Sequence, residues 1–354
     1  MPGARRGEGA GGATYGAAGV SIAAGDELVE RIKGATASTA RPGVIGGIGG
    51  FGGLFAVDRT RYEHPVLVAT TDGVGTKLLV ARDAGRYRTV GLDLVAMCVD
   101  DLVCVGAEPL FLLDYIACGR LVPDRLEQLV EGIAEGCRQA GCALLGGETA
   151  EHPGVMAPDD LDLAGFAVGI VEEEPPLGPS RVRPGDTLVG LASPGLRSNG
   201  YTLARYVLLD LAGRPLSGPA WPGADRTLAD ELLVPSVIYA PAVRAAMAEC
   251  PGQLHAAAHV TGGGLAANLA RVLPADCDAA VTRRWEVPRI FAEIQVLGDV
   301  ADDEMARVFN LGIGMVLVVD PDATGAVLAT LERAGRPAGV VGRVTAGTGQ
   351  VHLA

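Results

Sequence analysis

The octet Thr70-Thr71-Asp72-Gly73-Val74-Gly75-Thr76-Lys77 brings a carboxylate, two glycines and an ammonium together. The run Pro65-Val66-Leu67-Val68-Ala69 before it is short, apolar and bounded by breakers, which predicts a buried strand that delivers Asp72 to its end. Glycine lets the backbone approach a ligand, and a carboxylate beside exposed amides and a lysine suits a magnesium–phosphate group. The same residues also describe an ordinary strand-end turn with a solvated Asp and Lys. Leu92 to Val105 reads as a helix on which Asp93, Asp100 and Asp101 fall near one face. Carboxylates on an apolar helix are costly to bury unpaired. A bound divalent cation would resolve that, and so would a water-facing stripe. A second strand, Ala143-Leu144-Leu145, runs into Gly146-Gly147-Glu148-Thr149-Ala150-Glu151 and repeats the pattern of strand, glycines and acid.

Other loops could wrap an anion. Gly46-Gly47-Ile48-Gly49-Gly50-Phe51-Gly52-Gly53 has the composition for it, with Ile48 and Phe51 placed like anchors. It follows a predicted helix, Ala23 to Gly34, that carries Arg31 and Lys33. The strand His255 to His259 leads through Val260-Thr261-Gly262-Gly263-Gly264 into a helix from Leu265 to Leu273, and a helix opened by glycines presents free amides and a favourable dipole. Ser198-Asn199-Gly200 opens a further helix, Tyr201 to Leu211. His259 reads either as a strand-end packing residue or as a group facing a ligand. There is no Walker A motif, no G-x-S-x-G elbow and no H-E-x-x-H.

Elements must position these residues. A length of 354 residues suggests about two domains, and 49% hydrophobic against 20% charged residues allows a large core. With aromatics at 4%, that core must be Ala, Val and Leu. The remaining elements expected in the first half are a strand Pro109–Ala117, a helix Pro123–Ala140 and a strand Leu161–Glu172. Acid and proline clustering over Glu172 to Pro179 marks a linker. The second half adds a strand Asp186–Ala192, helices Pro235–Met247, Pro288–Leu297, Asp302–Val308 and Thr324–Ala334, and strands Gly314–Val319 and Ala338–Arg343. The division is a disordered arm over 1–12, a first domain over 13–173, a linker over 174–180 and a second domain over 181–354. A net charge of −13 argues against a nucleic-acid surface but not against a nucleotide. The seven cysteines form no zinc-type pairs and read as reduced, mostly buried thiols. No signal-like start and no uncharged stretch of about 18 residues is present, so no membrane partner is expected and a cytoplasmic location is.

In order, the motifs resemble those of the phosphoribosylformylglycinamidine cyclo-ligases, also called aminoimidazole ribonucleotide synthetases. The matching blocks are Tyr15–Val20, Arg31–Gly34, Gly46–Gly52, Thr71–Lys77, Gly91–Leu102, Gly106–Leu110, Gly146–Glu151, Ser198–Tyr201, His259–Gly264 and Phe309–Met315, spread over nearly the whole chain. The resemblance implies an α/β (α+β) fold of two domains, the first forming a homodimer whose strands join in a shared β-barrel. It implies ATP-dependent closure of formylglycinamidine ribonucleotide to aminoimidazole ribonucleotide, the fifth step of purine synthesis, with ATP and Mg2+ required. By the same resemblance, Asp72 and Asp101 hold magnesium with Asp100 assisting. Lys33, Gly46, Gly47, Gly49, Gly50, Thr71, Lys77 and Glu148 attend the ATP phosphates. Arg197, Ser198, Asn199 and His259 stand at the reacting amide, and Thr261, Gly262, Gly263 and Gly264 take the sugar phosphate.

Four positions depart from the family pattern. Arg197 replaces the usual His of His-Ser-Asn-Gly, Asp100 replaces an Asn, Ser21 an Asp, and His152 a Met. Arginine stays protonated near neutral pH, so it cannot serve as an acid–base group, although it can grip a phosphate bidentately. Two alternatives follow: a paralogue that activates a different amide or acid, and an ATP-binding module without turnover. The wider superfamily holds thiamine-monophosphate kinase, selenophosphate synthetase and a hydrogenase-maturation dehydratase. No cysteine precedes Cys98, which argues against the selenium enzyme.

Overall fold

The computed structural model describes residues 13–174 and 177–354. The expected arm over 1–12 and two residues of the expected linker lie outside the described residues. The first half runs α1 (Ile22–Ala37), β1 (Val44–Ile45), β2 (Leu54–Phe55), β3 (Pro65–Gly73), α2 (Lys77–Ala84), α3 (Arg88–Cys104), β4 (Glu108–Cys118), α4 (Pro123–Ala140), β5 (Ala143–Glu151) and β6 (Leu161–Glu172). The second half runs β7 (Thr187–Ala192), α5 (Tyr201–Arg205), α6 (Leu228–Leu232), α7 (Ala240–Glu249), β8 (Leu254–His259), α8 (Gly264–Ala270), β9 (Cys277–Val281), α9 (Arg289–Gly298), α10 (Asp302–Val308), β10 (Ile313–Val319), α11 (Thr324–Arg333), β11 (Ala338–Ala346) and β12 (Val351–Leu353).

The first half is a four-stranded sheet in the order β3-β6-β4-β5, with α3 and α4 against one face. Pro123 at the N-terminal turn of α4 and Gly141 in the left-handed conformation after its last turn bracket that helix. α3 and α4 cross at glycines. A Cβ on Gly91 would sit 2.4 Å from the carbonyl oxygen of Leu129, and one on Gly132 would sit 1.9 Å from that of Arg88. Only glycine permits that approach, so α3 lies deep in the core with most of its side chains buried. The second half is a six-stranded sheet, β12-β9-β11-β7-β10-β8, whose edge strand β8 is buried along its length and ends at His259.

Several expectations need correction. The strand before Asp72 is an edge strand, paired on one side alone, and Pro65, Val66, Leu67 and Ala69 on it are exposed. The glycine-rich loop joins the antiparallel pair β1 and β2, and Phe51 at its tip is fully exposed, so it anchors nothing. α7 starts at Ala240, since Pro235 to Tyr239 runs irregularly to meet α3. The helix after Gly200 is five residues of α-helix continued by a π-turn to Leu211. β9, β12 and the short α6 had no clear sequence signal. All seven cysteines are free thiols. Among the described residues no helix is long and apolar enough to cross a membrane.

Glu108 ties the halves together from one side. It accepts from Arg41 (2.7 Å), Arg61 (2.7 Å), Tyr62 (3.1 Å) and, from α7, Arg244 (2.8 Å). Burial alone would raise its carboxyl, but the bonds from Arg41 and Arg61 and the charge of Arg244 outweigh it and hold it down at about 2. A carboxyl depressed on folding stabilises above its unfolded value and loses that contribution as pH falls toward the folded one. Glu108→Gln is therefore expected to melt several degrees below wild type at pH 7. The gap should narrow as pH falls below the ordinary value of 4.5. Equal melting temperatures at pH 7 would show that the cluster contributes nothing.

Candidate active site

The three aspartates of α3 have three different fates. Asp93 accepts from the backbone N–H (2.7 Å) and hydroxyl (2.6 Å) of Ser236 and lies 2.5 Å from the Lys77 ammonium. Asp100 accepts from the amides of Tyr239 (2.8 Å) and Ala240 (2.9 Å) and from Arg197 (3.0 Å). Both carboxylates are fully buried. Protein donors resolve their burial: Lys77 and Ser236 for Asp93, and Tyr239, Ala240 and Arg197 for Asp100. The metal role of Asp100 is thereby corrected, because its carboxylate is fully buried and both its oxygens already accept from fixed donors. Only Asp101 keeps an exposed carboxylate, at 41%, with one oxygen 2.8 Å from His259 Nδ1.

Asp72 lies close by at the end of β3. Burial raises its carboxyl, the Gly73 amide at 2.7 Å lowers it, and the charge of Asp101 raises it again. Two neighbouring carboxylates form a hard oxygen donor set. Among the described residues no group of three or more His, Cys, Asp or Glu could enclose a metal by protein ligands alone. A pair of carboxylates that leaves the remaining positions to water and phosphate is how Mg2+ is ordinarily held, so the residues fit that ion.

Lys77 does not reach a ligand. Its side chain is fully buried, and its ammonium donates to the carbonyls of Arg197 (2.9 Å) and Val234 (2.8 Å) besides pairing with Asp93. Desolvation lowers its pKa, and Asp93 opposes that shift. The phosphate role of Lys77 is corrected to a clamp between the halves. Thr71 points to the opposite face from Asp72 and donates to Gly165 O at 2.9 Å. Lys33 pairs with Glu30 on the outer side of α1. Neither lines the cavity beneath the glycine loop or the one between the halves. Arg197 is 2% exposed, so it grips no incoming phosphate.

Of the open cavities, two bear on the remaining expected residues. One, of 560 Å³, lies under the Gly47–Gly53 loop and is walled by Leu28, Val29, Ile32 and Leu145, with Asp114 and Glu148 as its acids. No Lys or Arg lines it among the described residues. Apolar walls without a cation suit a nucleobase better than a triphosphate. Asp114 had no sequence signal, since it sits mid-strand in Leu113-Asp114-Tyr115. Its partner across the parallel pair β4–β5 is Gly147, where a Cβ would lie 2.1 Å from the Asp114 carboxylate. Asp72, Gly165, Asp114 and Gly147 form one cross-strand row, so Asp72 and Asp114 stand two strand steps apart, roughly 10 Å. The second cavity, of 580 Å³, opens between the halves and is lined by Gly75, Thr76, Ser198, Asn199 and Thr202. The Ser198 hydroxyl and the Asn199 side-chain oxygen are buried there without a hydrogen-bond partner. Thr261 and Gly262–Gly264 follow directly from His259, and Asn268 holds the carbonyls of Gly262 (3.2 Å) and Gly264 (2.8 Å). Ser21 caps α1 by accepting from Ala24 N at 3.2 Å, a task Asp performs equally well. His152 meets Tyr115 at 3.2 Å.

The chain matches the family description "AIR synthase related protein, N-terminal domain" over residues 56–171 and "AIR synthase related protein, C-terminal domain" over 183–353. It is 52% identical over 340 residues to a phosphoribosylformylglycinamidine cyclo-ligase of Myxococcus xanthus, covering 96% of this chain and 98% of that protein. The chain belongs to the phosphoribosylformylglycinamidine cyclo-ligase family. The cyclo-ligase of Trichlorobacter lovleyi is 49% identical over 333 residues, covering 94% of this chain and 95% of its own. Among solved structures, the hydrogenase maturation protein HypE in complex with ATP is similar in fold, with a TM-score of 0.64 at 20% identity over 95% of this chain and 92% of that one. These cyclo-ligase relatives support the α/β two-domain architecture and an enzyme of the ligase class.

Burial pushes the Asp114 carboxyl up to about 7. A carboxyl raised on folding costs stability as pH climbs from its unfolded to its folded value. Asp114→Asn is therefore expected to melt above wild type at pH 8 and level with it near pH 4, while binding ATP at least several-fold more weakly. A lower melting temperature than wild type at pH 8 would contradict this placement of the carboxyl.

Proposed function

We propose that this chain catalyses the ATP-dependent closure of formylglycinamidine ribonucleotide to 5-aminoimidazole ribonucleotide, releasing ADP and phosphate, the fifth step of de novo purine synthesis. The observation that carries this reading is near-half identity, over almost the full length, to relatives that bear the cyclo-ligase name. Neither a paralogue with another substrate nor a module that only binds ATP is favoured, because the likeness extends through both halves.

The chemistry follows from the groups available. The formyl amide oxygen is a poor leaving group. Transfer of the γ-phosphoryl group to it breaks the terminal P–O bond of ATP and releases ADP. The amidine nitrogen then attacks the activated carbon, and the former amide oxygen leaves as phosphate. Such a sequence depends on positioning and charge neutralisation. Asp72 and Asp101 would hold Mg2+, which neutralises phosphate charge when bound. The cavity beneath the Gly47–Gly53 loop would take the base, with Asp114 accepting from an amino or hydroxyl donor and Glu148 at its rim. The unpaired Ser198 hydroxyl and Asn199 oxygen would orient the amide or ribose of the substrate, and Thr261 with Gly262–Gly264 would meet its phosphate. The outer face of the first sheet exposes Leu67 (62%), Phe166 (43%) and Tyr115 (43%) on a single chain, which supports a homodimer closed through that sheet.

A coupled assay with ATP, Mg2+ and formylglycinamidine ribonucleotide tests the reading. Wild type is expected to release ADP and form the imidazole product in equal amounts, and Asp72→Asn to lose at least a hundredfold in turnover while melting within a few degrees of wild type. Full turnover in Asp72→Asn would remove the carboxylate pair from the reaction. ADP release without the imidazole product would overturn the substrate.

A further inference from the structure

Arg197 sits where both halves meet, and its surroundings define it. The main chain is left-handed there, with φ of 63°, a strained conformation for a residue with a side chain. Its carbonyl accepts from Lys77 at 2.9 Å. Its guanidinium stacks on Tyr239, 4.8 Å from the ring centre, and donates to Val237 O at 2.8 Å. A single terminal nitrogen then lies 3.0 Å from Asp100 and 2.8 Å from His259 Nε2. His259 Nδ1 lies 2.8 Å from Asp101.

Donor inventory settles the direction of each bond. A guanidinium has only donors, so Nε2 of His259 presents its lone pair to Arg197. The ring hydrogen is then on Nδ1, which donates to the Asp101 carboxylate. Both ring nitrogens are engaged, and the imidazole is 4% exposed.

We propose that Arg197 is a positioning residue: it holds His259 in the Nδ1–H tautomer, and His259 in turn fixes one oxygen of Asp101 so that the other is presented toward Asp72. His259 is then a rigid spacer and not a proton carrier. Asp100 supplies the countercharge that lets a guanidinium be buried at this point. The departures at 100 and 197 are thus two residues in direct contact. The inference rests on the cyclo-ligase reading only for its kinetic consequence; the tautomer stands on hydrogen bonding alone.

Full-length protein labelled with 15N-histidine tests it directly. His259 signals are assigned by their loss in His259→Gln. In wild type, long-range 1H–15N correlation at pH 7.5 should show a protonated Nδ1 and an unprotonated Nε2. A protonated Nε2 would overturn the proposal whether or not the protein turns over the predicted substrate. In Arg197→Met the freed Nε2 should acquire hydrogen in a substantial fraction of molecules. The kcat for cyclisation should fall about ten- to hundredfold, as for other outer-sphere partners, with the KM for ATP within twofold. Arg197→Lys keeps one donor and should restore the Nδ1–H pattern and part of kcat. An unchanged His259 spectrum in Arg197→Met, with activity lost only in step with melting temperature, would reduce Arg197 to a packing role and overturn it. Should Arg197→Met not fold, the wild-type and Arg197→Lys spectra decide the matter.

Discussion

The structure depends on a seam of buried charge between its two halves. Lys77 and Asp93, and Arg197 and Asp100, are ion pairs whose side chains have at most 1% exposure. Charges taken out of water are tolerated only when every partner is in place. Here the partners come from both halves: α3 contributes the carboxylates, while Ser236, Tyr239, Ala240 and the carbonyls of Arg197 and Val234 come from beyond residue 190. Sliding one half against the other would strand a buried charge. The seam therefore imposes one relative arrangement, and it does so beside Asp101.

That arrangement makes the catalytic reading possible. Asp72 comes from the edge of one sheet, Asp101 from the helix beneath it, and His259 from the edge strand of the other sheet. They meet because α3 passes between. In the proposed reading the nucleotide and the substrate would take separate volumes, one under the glycine loop and one between the halves, and the carboxylate pair would hold the Mg2+ that neutralises the phosphate.

Much of this was legible in sequence. Helical periodicity with a proline start and a glycine stop marked α4 to the residue, and the apolar run over Leu161–Glu172 marked β6. The ordered motifs carried the family. What sequence could not show is where a charged side chain goes when its partner is more than a hundred residues away. Lys77 follows two glycines and an acid, as a phosphate-binding lysine would, yet its partners include Arg197 and Val234. Arg197 and Asp100 each looked like an isolated departure, and only the structure shows them in contact. Asp114 was hidden because a strand-interior acid has no pattern of its own, and its meaning comes from Gly147 across the ladder. Phe51 misled for the opposite reason: an aromatic among glycines reads as an anchor, but the loop carries it into solvent.

The central claim is that Lys77 joins the halves and does not touch nucleotide. The double substitution Lys77→Met with Asp93→Asn removes both charges while keeping an acceptor for Ser236, which avoids leaving one charge buried alone. Its affinity for a fluorescent ATP analogue, measured with Mg2+ beside its melting temperature and its cyclisation rate, decides the matter. The seam predicts affinity within about threefold of wild type, with cyclisation reduced at least tenfold and a lower melting temperature. Loss of nucleotide affinity by a hundredfold at an unchanged melting temperature would contradict it and return Lys77 to the phosphates.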